Sequence, residues 1–257
     1  MNKFAWFAPR LRAGCVHFAL SFVVVLCAVM LVVMVWFPGA LLYASGGVKL
    51  LALMIVVDLI LGPILTFIVF DRRKKCLVFD LTFIVVVQIS ALSYGLYAAY
   101  NGRPIFEVFV VDRIELVSAS EVDSQELQLA PAQFQQIRLS GPTLAAARLP
   151  DDPKARAELT LSAAAGIDVK HFLRYYVPYT AQRQAILAAA KPLTDLNKFN
   201  DAALVRDELA KLASARHEAP TDWKFVPLQG KREDLAMIIR ASDATRLGTL
   251  RLRPWRD

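Results

Sequence analysis

Cysteine and histidine are scarce in this sequence, whose 257 residues contain three of each. They are Cys15, Cys27, Cys76, His17, His171 and His217. All the cysteines lie in the first 76 residues, so the rest of the chain has no disulfide framework and no cysteine metal site. The histidines are far apart and lack a neighbouring Cys, His or Glu cluster, which leaves little for a zinc site or a histidine-activated nucleophile. We expect no metal and no cofactor.

Motifs typical of enzymes are also missing. The chain contains no G-x-x-x-x-G-K-[ST], no G-x-G-x-x-G and no G-x-S-x-G. An intramembrane aspartyl protease needs two carboxylates that share a proton, but Asp58 and Asp80 lie at depths about nine residues apart and no GxGD segment is present. The sequence therefore predicts a protein that is not an enzyme.

Charge is scarce in the first hundred residues, which hold eight of the 30 Lys and Arg and three of the 23 Asp and Glu. Mean hydropathy of the whole chain is +0.42, too apolar for an ordinary soluble domain. Apolar runs over 17–37, 50–70 and 77–100 are each long enough to cross about 30 Å of hydrocarbon as a helix. The sequence predicts a three-helix transmembrane domain over 17–100, preceded by a basic N-terminus, 1–16.

The basic residues of this half predict its orientation. Three precede the first run and four lie in the turn 71–75, so both groups belong on the cytoplasmic side. The uncharged link 38–48 then faces outward, and 101–257 is a periplasmic domain of a multi-pass protein in the bacterial inner membrane. A signal peptide cleaved near Ala44 is the rival interpretation of the first run, which is longer than a usual signal-peptide core. Because most of the basic excess is in the membrane half, we expect no nucleic-acid partner.

Asp58 lies near the middle of the second run, where an ionisable group is costly unless it has a partner. Counting the same depth into the antiparallel third run reaches Ile89, which is flanked by Gln88 and Ser90. One interpretation is a hydrogen bond that locks the two helices together; the other is a polar socket for a helix of another protein. Gly62 and Pro63, one turn further on, are expected to kink the second helix beside this socket.

Small residues line one face of the third run. Ala91, Gly95 and Ala99 are spaced four apart, which lets another helix approach closely. The spacing leaves open whether that helix is the first span or belongs to a separate protein.

The remaining chain alternates strand and helix patterns, which predicts an α+β domain after the three transmembrane helices. Asp152 and Pro153 predict the start of a helix over 153–165, and Asn200 is the predicted cap of a later helix. Predicted strands cover 105–118 as one or two segments, 134–139, 223–228, 235–240 and 249–252.

Three tyrosines in five residues, Tyr175, Tyr176 and Tyr179, make 174–179 the most distinctive soluble segment. Core packing is one explanation. The other is a recognition surface, because tyrosine offers a large contact area and a hydroxyl at a low entropic cost.

The order of several segments resembles one known family. The segments are VDLILGPILTFIVFDRRKKCLVFDLTFIVVVQISALSYGLYAAYNGRP (57–104), VFVVDRIELV (108–117), ARLPDDP (147–153), RYYVPY (174–179) and FVPLQGKREDLAMIIRASDATRLGTLRLRPW (225–255). Together they resemble the TfpX/TfpZ type IV pilin accessory proteins over nearly the whole chain. A departure is Val78, where the family pattern has Lys.

This resemblance implies an inner-membrane factor that assists assembly of a cognate pilin and shifts the balance between pilus extension and retraction. It implies the cognate pilin, and other pilus-assembly proteins, as partners, and it supplies no catalytic residue. The competing hypothesis is a membrane-anchored periplasmic ligand-binding or sensor module. Its weakness is that the predicted cytoplasmic segments are too short for an effector domain.

Overall fold

The computed structural model describes residues 7–255, which form two units. The first unit contains the chain up to Val35 together with Gly47–Tyr100, and the second contains Trp36–Gly46 and the chain from Asn101 onward. The link between the first two apolar runs therefore belongs to the second unit, although the sequence assigned it to the transmembrane domain. The first six residues of the predicted basic N-terminus lie outside the described residues.

Three helices of the first unit are long and apolar enough to cross a membrane: Phe7–Trp36, Gly47–Val69 and Leu77–Gly102, called here the first, second and third spans. The helix that contains the first apolar run begins at Phe7, ten residues before that run. Helical segments of the spans are α1 (Phe7–Met30), α3 (Gly47–Ile55), α4 (Gly62–Val69) and α5 (Leu77–Gly102), with π-helical turns at Leu31–Trp36 and Val56–Leu61.

The π-helical turn of the second span follows from its sequence. Pro63 has no N–H group and cannot donate to the carbonyl four residues earlier. The preceding residue, Gly62, donates its N–H to the carbonyl of Val57, five residues back, which is the π-helical pattern. The widened turn includes Asp58, so the predicted irregularity and the buried acid coincide.

The second unit is a mixed α+β structure, as predicted. Its helices are α2 (Leu41–Ala44), α6 (Ser124–Leu129), α7 (Pro153–Ala164), α8 (Arg183–Ala189) and α9 (Ala202–Arg216). Its strands are β1 (Pro104–Val110), β2 (Arg113–Ser118), β3 (Thr143–Ala147), β4 (Tyr176–Pro178), β5 (Lys191–Pro192), β6 (Trp223–Gln229), β7 (Leu235–Arg240) and β8 (Arg246–Leu250).

These strands form one sheet in the order β4-β3-β1-β2-β6-β7-β8, with β5 also paired to β6. The β1/β3 and β2/β6 pairs are parallel, and the others are antiparallel. Strands β1 and β8 are four positions apart, about 19 Å across a flat sheet. Nevertheless Arg246 on β8 reaches Glu107 on β1 with a 2.9 Å ion pair, so the sheet is strongly curled.

Two details of the predicted secondary structure are wrong. No strand covers 134–139; the extended segment instead begins at Thr143, after the turn at Gly141, where it pairs with β1. Helix α9 is capped by the Asp201 carboxylate, which accepts the N–H groups of Ala203 and Leu204. Asn200 instead forms hydrogen bonds with the Arg253 backbone, because a tertiary contact takes its amide away from the helix end.

The core of the second unit is completed by the link 36–46. Leu41 and Ala44 are 1% and 0% exposed and pack in a cluster with Phe109 of β1 and Met237 of β7. The carbonyl of Ala44 accepts the backbone N–H of Arg232 at 2.9 Å. The link and the residues from Asn101 onward therefore lie on the same side of any membrane that the spans cross.

Candidate functional site: an intramembrane groove

Asp58 sits in the widened turn of the second span and is 4% exposed. From the third span, the side-chain amide of Gln88 donates to the Asp58 carbonyl at 3.3 Å and to its Oδ1 at 3.5 Å. The depth argument therefore places the right two residues together. Ser90 is not part of this contact, because its hydroxyl donates to the Val86 carbonyl of its own helix.

Gly62 makes this contact possible. A Cβ atom at Gly62 would lie 2.0 Å from Nε2 of Gln88 and 2.6 Å from its Cδ. Any side chain at this position would therefore push Gln88 away from Asp58. Pro63 follows directly and contributes through the π-helical turn described above.

The other carboxylate oxygen of Asp58, Oδ2, is buried and has no hydrogen-bond partner among residues 7–255. Such groups are rare in folded proteins because an unpaired buried polar atom costs about 1–3 kcal/mol. Gln88 thus satisfies only one of the two carboxyl oxygens of Asp58.

A second polar pair, missed in the sequence, joins the first and second spans. His17 Nδ1 and the Thr66 hydroxyl are 2.6 Å apart, and Thr66 is 4% exposed. Thr66 follows Asp58 by eight residues, about two helical turns, and so lies on the same side of the second span. The spacing of Thr66 from Asp58 was the signal in the sequence that could have identified this polar position. From the sequence, His17 was considered only as a candidate for metal binding or catalysis.

These polar residues lie along an apolar groove of about 600 Å³ between the three spans. The first and third spans supply most of its walls, and Asp58, Thr66 and Gln88 supply polar atoms within it. The lining residues are Pro9, Arg12, Ala13, Val16, His17, Leu20, Ser21, Val24, Val25, Asp58, Thr66, Phe70, Arg72, Leu81, Val85, Gln88, Ile89 and Leu92. We call this surface the membrane groove.

One end of the membrane groove carries positive charge from Arg12 and Arg72. Nearby, Arg10 pairs with Asp71 at 3.5 Å. Asp71 follows the end of the second span, and the backbone N–H of Arg73, together with Arg10, lowers the pKa of its carboxyl. The groove therefore runs from a basic end to a buried, half-satisfied carboxylate.

The small-residue face of the third span is occupied from within the chain. Gly95 and Ala99 are buried, and Ala91 is partly buried. A Cβ atom on Gly95 would lie 2.7 Å from Cγ of Met54, so the helix that approaches this face is the second span. The spacing had left open the first span or a separate protein, and the second span, which occupies this position in the structure, is neither of these.

Of the three tyrosines, Tyr176 and Tyr179 are 1% and 9% exposed, whereas Tyr175 is partly exposed. The Tyr176 ring packs edge-on against Phe106 and Phe134, at centroid distances of 5.4 and 5.8 Å, and its hydroxyl donates to the Lys170 carbonyl. The positions of Tyr176 and Tyr179 agree with core packing, because neither ring presents a recognition surface. Only Tyr175 has the exposure that such a surface requires.

A second buried polar cluster lies in the second unit. Glu107 is 0% exposed and accepts a hydrogen bond from Arg246 at 2.9 Å. Burial raises the pKa of Glu107 to about 7, although the charge of Arg246 opposes this. Burial also raises the pKa of the neighbouring Tyr179 hydroxyl. Within the described chain, Tyr179 Oη and Glu107 Oε2 have no hydrogen-bond partner.

Among residues 7–255, no three His, Cys, Asp or Glu side chains are grouped so that they could hold a metal ion. The side chains that the structure does bring together in the first unit are a carboxylate, an amide, an imidazole and a hydroxyl, all on apolar helices. Such a set is suited to hydrogen bonding with a helix in the membrane.

The fold and groove define a three-span membrane protein with an attached α+β domain. The chain is 33% identical over 242 residues to the fimbrial assembly protein of serogroup E1 from Dichelobacter nodosus, and the match covers 93% of each protein. It is 32% identical, with the same coverage, to the serogroup I protein of that organism. A fimbrial assembly protein of serogroups C1 and C2 is 36% identical over 133 residues, 51% of this chain and all of that protein.

The chain therefore belongs to the family of fimbrial assembly proteins. No protein-family model matches it. No solved structure matches it significantly.

Proposed function

We propose that this protein is a non-enzymatic accessory factor of type IV pilus biogenesis whose membrane groove receives the apolar helix of a cognate pilin. The fimbrial assembly relatives support the process. The observation that carries the proposed mechanism is the free Oδ2 atom of Asp58, buried beside an apolar groove of about 600 Å³.

A type IV pilin matches this surface in two ways. Its membrane part is a single apolar helix that can lie against apolar walls, and that helix carries a polar residue in its buried part. A donor from the pilin, a side chain or an amino terminus, would complete the half-satisfied Asp58 carboxyl. Hydrogen bonds between helices in membranes contribute about 0.6–2 kcal/mol each, so such a contact would guide the register of the helix without holding it irreversibly.

The proposed location is the bacterial inner membrane, with the N-terminus in the cytoplasm and the α+β domain in the periplasm. The basic turn 71–75 supports this orientation through the positive-inside rule. A pilin head also projects into the periplasm before assembly. The domain of the accessory factor would then lie beside the head while the membrane groove holds the helix, and the two contacts together would shift the balance between pilus extension and retraction.

The experiment is complementation of a strain that lacks this gene, with surface pili and membrane abundance of the protein measured separately. Asp58→Asn is expected to reduce pili several-fold at unchanged abundance, because the amide retains one oxygen for Gln88 but replaces the unpartnered oxygen, Oδ2, by an NH2 group. Asp80→Asn is the control, since Asp80 is absent from the groove lining and pairs with Lys74 instead. Normal piliation with Asp58→Asn would contradict the proposed role of Asp58.

A further inference from the structure

A cavity of about 520 Å³ lies in the second unit, apart from the membrane groove. Its walls are the turn after β6, 229–234, and the C-terminal segment 251–255, with Asn200 and Leu204 at the side. We call it the tail cavity. Its lining is mainly polar, in contrast to the membrane groove, so it suits a different kind of ligand.

Hydrogen bonds hold both walls of the tail cavity in place. Asp234 accepts the backbone N–H of Gly230 at 3.0 Å and the indole N–H of Trp255 at 2.6 Å. Glu233 accepts two hydrogen bonds from Arg251, at 2.7 and 2.8 Å. Both acidic residues of the lining are therefore already used to join the two walls.

Basic residues outnumber acidic ones around the cavity. Its lining contains Lys231, Arg232, Arg251 and Arg253 against Glu233 and Asp234. The side chains of Lys231 and Arg232 are exposed, and Lys231 lies 3.3 Å from Glu121. Four basic side chains face two acidic ones in the lining, and Glu121 offsets part of the charge of Lys231, so the net positive charge that remains favours an anionic ligand.

The tail cavity is attached to the link that enters the second span. The backbone N–H of Arg232 donates to the Ala44 carbonyl, and the Arg251 guanidinium lies 4.0 Å from the centre of the Tyr43 ring. A Cβ atom on Gly46 would lie 2.8 Å from Cγ of Arg232. Gly46 is covalently bonded to Gly47, the first residue of the second span. Arg232 thus packs against Gly46, the residue that immediately precedes the second span.

We propose that the tail cavity binds the phosphate headgroup of an anionic phospholipid. Guanidinium groups match phosphate oxygens with paired hydrogen bonds, and basic residues next to a span are attracted to anionic lipid. Arg232 supplies the contact nearest the span, and Lys231, which also pairs with Glu121, contributes to the positive charge of the lining. The bound lipid would fix the α+β domain at the membrane surface.

The test uses the full-length protein in dodecyl maltoside, with phosphatidylglycerol as the probe and phosphatidylcholine as the neutral comparison. Bound lipid is counted by native mass spectrometry as lipid is titrated. Wild type is expected to retain phosphatidylglycerol in preference to phosphatidylcholine. Arg232→Gln should weaken the apparent affinity for phosphatidylglycerol about fivefold, as expected for one basic residue at a membrane surface, and the Lys231→Gln/Arg232→Gln pair should weaken it further.

Arg206→Gln is the matched control, because Arg206 is an exposed arginine of α9 outside the cavity lining. The Arg206→Gln protein should bind lipid as the wild-type protein does. The Arg232 hydrogen bond to Ala44 uses the backbone and persists in the variant, so an unchanged unfolding temperature shows that the fold is intact. Equal phosphatidylglycerol binding by wild type and the double variant would overturn the proposal. Complete displacement of the lipid by millimolar inorganic phosphate, with no preference for the lipid, would assign the cavity to free phosphate and overturn it as well.

Discussion

The side-chain amide of Gln88 occupies the space that a side chain on Gly62 would need. From there it donates to the backbone and carboxylate of Asp58 in the same span as Gly62. Gly62, Gln88 and Asp58 thus form one contact between the second and third spans, and Asp58 and Gln88 also line the membrane groove.

Substitution of Gly62 tests whether this contact stabilises the protein. Gly62→Ala should lower the unfolding temperature of the detergent-solubilised protein, corresponding to about 1–3 kcal/mol, since Gln88 must leave Asp58 without its hydrogen bonds. Gly102→Ala is the control, because nothing lies within 4 Å of a Cβ atom there. If Gly62 acts through Gln88, the cost of Gly62→Ala should largely disappear in a Gln88→Ala background. A full additive cost in that background would contradict the arrangement.

The link 36–46 supplies a further prediction. Leu41→Ala should reduce the free energy of unfolding by about 2–5 kcal/mol, as for other leucines removed from a packed core. Leu139→Ala, at a position 65% exposed, should have little effect. Denaturant unfolding of the full chain, followed by tryptophan fluorescence, distinguishes them. Equal stability of the two variants would mean that the link does not complete the core.

Glu107 predicts a pH dependence of stability. The folded protein holds its proton more tightly than the unfolded chain, because burial raises the pKa from 4.5 to about 7. Stability should therefore fall as pH rises through this window, by about 3 kcal/mol at about 1.4 kcal/mol per pKa unit. Glu107→Gln, which cannot ionise, should flatten the profile, whereas Glu158→Gln on the exposed side of α7 should not. An unchanged slope in Glu107→Gln would be inconsistent with a raised pKa of the Glu107 carboxyl.

Substitutions of Tyr175, Tyr176 and Tyr179 distinguish core packing from partner recognition. Tyr176→Ser and Tyr179→Ser should each lower the amount of protein in the membrane, since truncating a buried aromatic ring costs about 3–5 kcal/mol. Tyr175→Ser is the matched change at a partly exposed ring and should leave abundance unchanged. Normal abundance of the Tyr176→Ser protein, measured by immunoblot of membrane fractions, would argue against its place in the core.

Some contacts and strands could be predicted from the sequence because a single local property, such as depth in a span or residue pattern, determines them. The equal depth of Asp58 and Gln88 in their spans predicts their contact, and runs rich in β-branched, aromatic and other apolar residues predict β1, β2, β6 and β7. Helix capping was predicted one residue away, at Asn200 instead of Asp201, because the competing contact with Arg253 is 53 residues distant.

Other features depend on three-dimensional packing that the local pattern does not encode. The uncharged link looked like a simple loop, yet Leu41 and Ala44 are core residues of a unit whose other residues begin at Asn101, 57 positions after Ala44. The pairing of His17 with Thr66 required knowing how the first span faces the second. The burial of Tyr176 depends on its contacts with Phe106 and Phe134, which are distant in the sequence and which the strand pattern alone did not reveal.

The most direct test of the central claim is photocrosslinking from the membrane groove to the cognate pilin in living cells. A photoreactive residue at Val24 or Val85, exposed positions in the groove walls, should form an adduct with the pilin helix. The same residue at Leu53, which is 62% exposed on the second span but outside the lining, should form little. Adducts of equal yield from all three positions, or adducts from the α+β domain alone, would contradict the account.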